Sequence, residues 1–129
     1  MATIFLVEDE LSTLALYNSL LKANGFEILD EAKNGEEAVI KYLSFSKKPD
    51  VIIMDYKMPL KNGLEATKEI LQINNKAKII IVSGDRAIEH ITKEIGAISF
   101  IKKPFDNKRL VKNIEKAVKG VVNSYFKCI

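Results

Sequence analysis

The chain has 129 residues, a formal net charge of +3, and hydrophobic residues at 47% of its positions. This size and composition predict one folded globular domain with its own core and exclude a wholly disordered chain. No apolar run approaches the roughly 18–20 residues of a membrane-spanning helix, and the first residues lack the pattern of a secretory signal. We therefore expect a cytoplasmic protein with no membrane partner.

Cysteine and lysine usage excludes two further classes of site. Cys128 is the only cysteine, which excludes a disulfide framework and a cluster of thiolate metal ligands and leaves the role of this residue open. The lysines are spread along the chain without interleaved aromatic residues, so we expect no direct binding to nucleic acid.

Five short runs of β-branched and other apolar residues indicate strands. They are Thr3–Val7, Glu27–Ala32, Val51–Met54, Lys78–Val82 and Ile98–Ile101. Runs such as VIIM and IIIV are apolar without alternation, which is typical of parallel strands whose sheet is covered on both faces.

A segment with helical spacing follows each predicted strand. The positions expected on the buried faces of the five helices are Leu14, Tyr17, Leu20 and Leu21; Ala38, Val39, Tyr42 and Leu43; Leu64, Thr67, Ile70 and Leu71; Ile88, Ile91 and Ile95; and Leu110, Val111, Ile114, Val118, Val121 and Tyr125. Asn24-Gly25 is expected to end the first helix, and Gly96 the short fourth one. The last helix is expected to be the longest.

The strict alternation of strands and helices predicts an α/β fold, a doubly wound (βα)5 three-layer sandwich. Right-handed crossovers would place helices on both faces of one parallel sheet. Only a few residues follow the last predicted helix, so we expect residues 1–129 to form a single domain, with a core from about 3 to 125 and no output domain.

Ligands of a doubly wound sheet bind beyond the carboxyl ends of its strands. The polar residues that follow the strands there are Glu8, Asp9 and Glu10 after the first, Asp55 after the third, Ser83 after the fourth, and Lys102 and Lys103 after the fifth. No glycine-rich phosphate cradle follows the first strand, which excludes a flavodoxin that binds flavin. Glu8, Asp9 and Asp55 would converge if the first and third strands are neighbours, and such carboxylates suit Mg²⁺.

These groups together suit phosphoryl transfer, in which the protein mainly positions the reactants and neutralises charge. Asp55 is the candidate nucleophile, since aspartates form acyl phosphates by attacking phosphorus. A cation and the ammonium of Lys103 would hold the phosphoryl oxygens, and Ser83 would donate a hydrogen bond. The same cation and ammonium would relieve the repulsion among the carboxylates.

Four segments carry a resemblance to a known family. FLVEDE, PDVIIMDYKMPLKNGLEATKEI, IIIVSG and FIKKPF occur in this order at the ends of the predicted strands. Together they resemble the receiver domain of two-component response regulators, in particular the chemotaxis regulators, over about residues 3–125. The resemblance implies a flavodoxin-like sheet in the order 2-1-3-4-5. It also implies a signalling switch and no enzyme, with only self-phosphorylation from a phosphodonor and slow autodephosphorylation.

The resemblance also assigns roles at the acidic end of the sheet. Asp55 is similar to the aspartate that accepts the phosphoryl group from a sensor histidine kinase or a phosphotransfer protein. Asp9 is implied as a direct Mg²⁺ ligand and Glu8 as a ligand through water, with the backbone carbonyl of Lys57 as the remaining protein ligand. Glu8 stands where the family more often has Asp, which lengthens that side chain.

The remaining roles lie on the fourth and fifth strands. Ser83 is implied to bind the phosphoryl group, and Lys103 to pair with it. The peptide bond from Lys103 to Pro104 is expected to be cis. Phe100 is implied to occupy the switch position. The switch would change the surface around the fourth helix, fifth strand and fifth helix to control a downstream target or output, and a homodimer on phosphorylation is compatible with it. Phe100 lacks the hydroxyl of the family's common tyrosine, so its switch would work by packing alone. Lys57 and Asp85, two residues after Asp55 and Ser83, stand at positions where family members tune their rate of dephosphorylation.

Two other classes of function remain alternatives. One is a Mg²⁺-dependent phosphatase or a toprim-like phosphoryl-transfer enzyme, which needs a second carboxylate two residues after Asp55, where this chain has Lys57. The other is a pseudo-receiver that binds proteins without phosphorylation. The intact Asp9, Asp55, Ser83 and Lys103 argue against it.

Overall fold

The computed structural model describes residues 1–121, so the predictions for Tyr125 and Cys128 lie outside the described residues. The strands are β1 (Thr3–Val7), β2 (Glu27–Ala32), β3 (Val51–Asp55), β4 (Ile79–Ser83) and β5 (Ser99–Lys102). The helices are α1 (Leu11–Ala23), α2 (Gly35–Ser44), α3 (Gly63–Ile73), α4 (Glu89–Glu94) and α5 (Asn107–Val118), and a 3-10 turn at Arg86–Ile88 precedes α4. No helix within these residues is long and apolar enough to cross a bilayer.

The five strands form one parallel sheet in the order β2-β1-β3-β4-β5, which confirms the predicted doubly wound α/β fold. Successive residues of β3 enter two different cores. Ile52 and Met54 pack with residues of α2 and α3 on one face, and Val51 and Ile53 pack with residues of α1 and α5 on the other. The absence of alternation in the strand sequences follows from this double coverage, since each buried side chain contributes ~1.5–3 kcal/mol.

The carboxyl ends of three strands differ from the sequence prediction by one residue. β3, β4 and β5 continue through Asp55, Ser83 and Lys102, because parallel pairing continues one residue beyond the apolar run. The backbone N–H of Tyr56 donates to the carbonyl of Val82 at 3.2 Å, which continues this pattern of hydrogen bonds. The ladder thereby fixes the backbone of the polar residues at this edge.

Three residues expected on buried helical faces are exposed. Leu43 is 58% exposed, Ile91 is 43% exposed, and Val121 is 49% exposed. In α4 the buried position is Thr92, one residue beyond Ile91. A strip of apolar letters alone does not reveal which neighbour of a buried residue turns outward, because helices on a sheet bury only part of their circumference.

The last helix is shorter than predicted, with 12 residues against 13 in α1. It ends because Gly120 adopts a positive φ of 76°. The N–H groups of Gly120 and Val121 donate to the carbonyls of Ala117 and Lys116, which is a Schellman ending. The same arrangement ends α1 at Gly25, as the sequence predicted.

Candidate functional site

The acidic residues after β1 and β3 meet because these strands are neighbours in the sheet, with Val7 paired to Met54. One carboxylate oxygen from each of Glu8, Asp9 and Asp55 lies within 4.8 Å of the other two. Glu8 and Asp55 are buried, whereas Asp9 is exposed. The structure therefore brings together the three carboxylates that the sequence singled out.

Lys103, the residue after β5, joins this cluster from across the sheet. Its Nζ lies 3.0 Å from Asp55 Oδ1 and 3.4 Å from Glu8 Oε1. Its backbone N–H donates to the carbonyl of Ser83 at 2.8 Å, which fixes where the side chain starts. The peptide bond from Lys103 to Pro104 is cis, as the resemblance implied.

Burial and mutual repulsion disfavour ionisation of the carboxyl groups. Burial, followed by the charge of Asp55, raises the pKa of Glu8 to about 7, while the backbone N–H of Glu10 and the charge of Lys103 act in the opposite direction. Burial also raises the pKa of Asp55, although Lys103 opposes the shift. Burial lowers the pKa of Lys103, but its bonds with Asp55 and Glu8 outweigh this effect, so the pKa is raised. The cluster thus has more negative charge than one ammonium stabilises.

The donor set fits a small hard cation. Carboxylate oxygens are the ligands that Mg²⁺ prefers, and it commonly uses one or two of them together with water. A divalent cation among these oxygens would also reverse the unfavourable pKa shift of Glu8, because a nearby positive charge favours the ionised carboxylate. Glu8, Asp9 and Asp55 are therefore chemically suited to hold Mg²⁺.

A cavity of about 440 Å³ opens beside this cluster and gathers further predicted residues. Its lining residues are Asp55, Lys57, Ser83, Gly84, Asp85 and Lys103. The hydroxyl of Ser83 accepts a hydrogen bond from the N–H of Asp85 at 2.9 Å. Ser83 therefore shares a cavity with Asp55, but its hydroxyl oxygen is paired with its own loop.

Phe100 lies in the hydrophobic core and does not line this cavity. It is 2% exposed and is paired in the sheet with Ile81. It belongs to the core cluster on the α2 and α3 side of the sheet, which also contains Ile88 from the turn before α4. Phe100 is therefore separate from the residues that line the cavity, and it shares its core cluster with Ile88.

On the sequence alone, Asn62-Gly63 is interpreted as a turn that aims the third helix, and the structure adds a closer contact at Gly63. A Cβ at Gly63 would lie 2.0 Å from the backbone oxygen of Asp55. The N–H of Gly63 also donates to the carbonyl of Tyr56 at 2.8 Å, and Asn62 and Glu65 form a capping box at the start of α3. The absence of a side chain thus lets α3 begin directly against the backbone of Asp55. The glycine itself was the only signal.

Tyr17 was also missed, because on the sequence it is one more position on the buried face of α1. Its hydroxyl is buried and has no hydrogen-bond partner among the described residues. Its ring stacks on Phe105 with the centroids 6.4 Å apart. Burial, together with the charges of Glu8 and Asp55, raises its pKa, so this phenol stays neutral beside the site. No sequence pattern indicated this proximity.

Comparisons with known proteins identify the family of the chain. Residues 4–115 match the response regulator receiver domain. The chemotaxis protein CheY of Thermotoga maritima is 38% identical over 118 residues, which cover 90% of this chain and 97% of the relative. CheY of Bacillus subtilis is 38% identical over 117 residues, which cover 89% and 96%.

Two solved structures are similar in fold. One is the CheX-CheY-BeF3-Mg²⁺ complex from Borrelia burgdorferi, with a TM-score of 0.84, 28% identity, and coverage of 92% of this chain and 89% of that chain. The other is the response regulator TrrA of Thermotoga maritima in complex with Mg²⁺ and BeF, with a TM-score of 0.82, 32% identity, and coverage of 91% and 99%. The chain therefore belongs to the response regulator receiver domain family, and it is a phosphoryl-accepting signalling domain.

Proposed function

We propose that Asp55 is the residue of this receiver domain that accepts the phosphoryl group, in a reaction that depends on Mg²⁺. The observation that carries the proposal is the contact of 3.0 Å between Lys103 and Asp55, within a cluster whose three carboxylates lie within 4.8 Å of one another. Two related proteins were solved with Mg²⁺ and a beryllium fluoride, a group that stands in for a bound phosphoryl. That likeness supports the same requirement here.

Asp55 acts as the nucleophile in this proposal. One of its carboxylate oxygens attacks phosphorus in line, an O–P bond forms, and the bond from phosphorus to the donor breaks with its electron pair on the leaving group. The ammonium of Lys103, already beside Asp55, pairs with an oxygen of the transferred group. When bound, Mg²⁺ would supply further neutralisation of the phosphoryl charge. Asp9 would hold it directly and Glu8 through water, together with the backbone carbonyl of Lys57.

The donor is a sensor histidine kinase or a phosphotransfer protein, and residues 1–129 act as one receiver unit toward a downstream protein target. Homodimerisation on phosphorylation fits the same unit. The domain is a switch that uses up one phosphodonor per phosphorylation and slowly loses the group, so it does not turn over a substrate as an enzyme does. The location that we propose is the cytoplasm.

Phosphorylation adds nearly two negative charges beside Ser83. We infer that the Ser83 hydroxyl then donates to the phosphoryl group and draws the segment after β4 toward Asp55. This segment continues directly into the 3-10 turn at Arg86–Ile88, and Ile88 packs in the same core cluster as Phe100. The population thereby shifts toward a state with an altered surface at α4, β5 and α5, through packing of Phe100.

Intact-protein mass spectrometry after incubation with acetyl phosphate tests the proposal. We expect the mass of one phosphoryl group to be added with Mg²⁺ present, in an acid-stable and base-labile linkage, and not after chelation of the metal. Asp55→Asn is expected to abolish the adduct. Asp30→Asn, which neutralises a partly buried carboxylate on β2 that pairs with Lys41, is the matched control and should keep it.

Four results would contradict the proposal. An adduct that persists in Asp55→Asn would show another acceptor, and phosphorylation in the presence of a chelator would show that Mg²⁺ is not needed. Repeated turnover of a phosphate ester would instead support the phosphatase alternative. A complete lack of adduct in the unmodified chain would support the pseudo-receiver.

A further inference from the structure

Gly35, the first residue of α2, lies against the loop that joins β3 to α3 (residues 56–62, the β3–α3 loop). Its backbone N–H donates to the carbonyl of Lys61 at 2.9 Å. A Cβ at Gly35 would lie 2.3 Å from that carbonyl oxygen and 3.0 Å from the backbone oxygen of Asn62. Backbone atoms cannot rotate out of the way as the end of a side chain can, so this contact requires a residue without a Cβ.

The β3–α3 loop contains a strained turn beside this contact. Leu60 has a φ of 68°, and no other non-glycine residue among residues 1–121 has a positive φ. The N–H of Lys61 donates to the carbonyl of Pro59 at 2.8 Å, which closes a γ-turn of the rare and strained kind around Leu60. The side chain of Leu60 is 80% exposed, so core packing does not hold it. A left-handed leucine costs free energy and persists only where its surroundings fix the backbone.

Contacts on both sides of the turn supply that restraint. At its base the loop is closed by the N–H of Gly63, which donates to the carbonyl of Tyr56 at 2.8 Å. On the far side of the turn Lys61 is held in two ways, because its carbonyl accepts from Gly35 and its side chain forms an ion pair with Glu69 of α3. Ion pairs between partly exposed side chains are weak, so the backbone contact with Gly35 is the firmer of the two.

The same loop carries Lys57, which lines the cavity beside Asp55. Lys57 is exposed, and the next residue, Met58, packs only partly into the core. The direction of the Lys57 carbonyl therefore depends on how the loop is held farther along, at Leu60 and Lys61. Mg²⁺ requires nearly ideal octahedral geometry, so a ligand that moves with a relaxing loop binds it less well.

We infer that Gly35 is a positioning residue for the Mg²⁺ site. By fixing the carbonyl of Lys61, it holds the left-handed turn at Leu60 and thereby the carbonyl of Lys57. The inference rests on the proposed function, in which the Lys57 carbonyl is a ligand. Gly35 lies outside the cavity and outside the carboxylate cluster, so any effect on metal binding has to pass through the loop. A purely structural glycine would alter the stability of the fold and leave the metal affinity unchanged.

Hydrogen exchange in the unmodified chain, followed by NMR, tests the inference without any substitution. Coupling between two sites is reciprocal, so Mg²⁺ has to strengthen the Gly35 contact if that contact strengthens Mg²⁺ binding. We expect saturating Mg²⁺ to slow exchange of the Gly35 amide about fivefold. The Glu37 amide is the matched control, because in the same turn of α2 it donates to the side chain of Asn34, at 2.8 Å, and not to the loop. Its exchange should stay unchanged.

Substitutions test the same link from the side of the contact. Gly35→Ala should weaken Mg²⁺ affinity about fivefold, read from the amide shifts of Asp9 and Asp55 during titration. Ile114→Val is the control for lost stability, because it removes a buried methyl group from the core on the α1 and α5 side of the sheet and should leave the affinity unchanged. Leu60→Gly allows a positive φ without strain, so adding it to Gly35→Ala should recover part of the lost affinity.

The outcomes separate this inference from the proposed function. With Mg²⁺ shifts present around Asp55, an unchanged Gly35 amide, equal slowing at Glu37 or full Mg²⁺ affinity in Gly35→Ala would overturn the inference while the proposed function stands. An equal loss of affinity in Ile114→Val, or no recovery with Leu60→Gly, would overturn it as well. If Gly35→Ala does not fold, the exchange rates of the unmodified chain decide. No shifts around Asp55 with Mg²⁺ would instead count against the proposed function, and the inference would fall with it.

Discussion

The two halves of the proposed phosphoryl site differ in how their groups are paired. In the acid half, Glu8, Asp55 and Lys103 are already in direct contact, at distances of 3.0 and 3.4 Å. In the switch half, Ser83 Oγ is bonded to its own loop, and Phe100 is packed in the core. The acid half is thus assembled by the ends of the strands before any phosphoryl group arrives. The switch half can respond only by exchanging partners.

The largest predicted effect comes from a substitution that crowds the backbone of Asp55 in the acid half. Gly63→Ala places a Cβ 2.0 Å from the carbonyl oxygen of Asp55, so α3 or the end of β3 has to move. We expect the free energy of unfolding to fall by about 1–3 kcal/mol or more, as for other overpacked sites. Urea denaturation measures this change.

Gly84→Ala is the matched control, because a Cβ there meets no atom within 4 Å. Its free energy of unfolding should change by less than ~0.5 kcal/mol, as for a surface substitution. Equal losses in the two variants would mean that the close approach of α3 to Asp55 is unimportant.

The second prediction concerns how the free energy of unfolding depends on pH in the absence of Mg²⁺. The pKa of Glu8 is raised from 4.5 to about 7 in the folded chain. Between these values the folded chain holds a proton that the unfolded chain has released, so the free energy of unfolding falls as pH rises through this window. The raised pKa of Asp55 acts in the same direction. We expect a loss of about 1–3 kcal/mol between pH 5 and pH 8, measured by urea denaturation at each pH.

Glu8→Gln provides the control for that prediction, because the amide keeps the shape of the side chain and cannot ionise. The free energy of unfolding of this variant should depend less on pH. At pH 8 without Mg²⁺, it should be higher than that of the unmodified chain. Adding Mg²⁺ should stabilise the unmodified chain more than the variant. Parallel pH curves for the two chains would show that Glu8 is not the group that titrates.

The sequence predicted the sheet well because a strand covered on both faces carries its signal in every residue. It placed Glu8, Asp55 and Lys103 together because the carboxyl ends of parallel strands meet at one edge of the sheet. Helical faces were predicted less well, as Leu43 and Ile91 show, because an apolar letter does not state the angle at which a helix packs.

Two features of the site could not be derived from the sequence patterns. Gly63 looked like a turn residue, and its close approach to Asp55 depends on how α3 packs against the end of β3. Tyr17 looked like core, and its buried hydroxyl near Glu8 depends on the position of α1 above the sheet. Both are tertiary distances, which a single sequence does not encode in local patterns.

The third prediction tests the switch half alone. Ser83→Ala removes a hydroxyl that shares the cavity with Asp55 but is absent from the carboxylate cluster. Mg²⁺ affinity should therefore stay unchanged, whereas affinity for BeF3⁻ in Mg²⁺ should fall about tenfold, the effect of one hydrogen bond to a charged group. Titration followed by NMR measures both. Ser44→Ala, on the exposed end of α2, is the control and should alter neither affinity. A parallel loss of Mg²⁺ affinity in Ser83→Ala would mean that the two halves do not act separately.

The smallest predicted effect concerns Lys57 and Asp85, which line the cavity from the two halves and are both exposed. We expect their opposite charges to hold the two loops together over the phosphoryl group and slow the entry of water. Lys57→Gln and Asp85→Asn should each shorten the lifetime of the phosphorylated chain by about twofold to fivefold, because an exposed ion pair is weak. Asp85→Asn keeps the oxygen that accepts from the N–H of Ala87, so it removes charge and spares that contact. If the residues act as a pair, the double variant should decay no faster than either single one, whereas additive effects would mean that each loop shields the group independently.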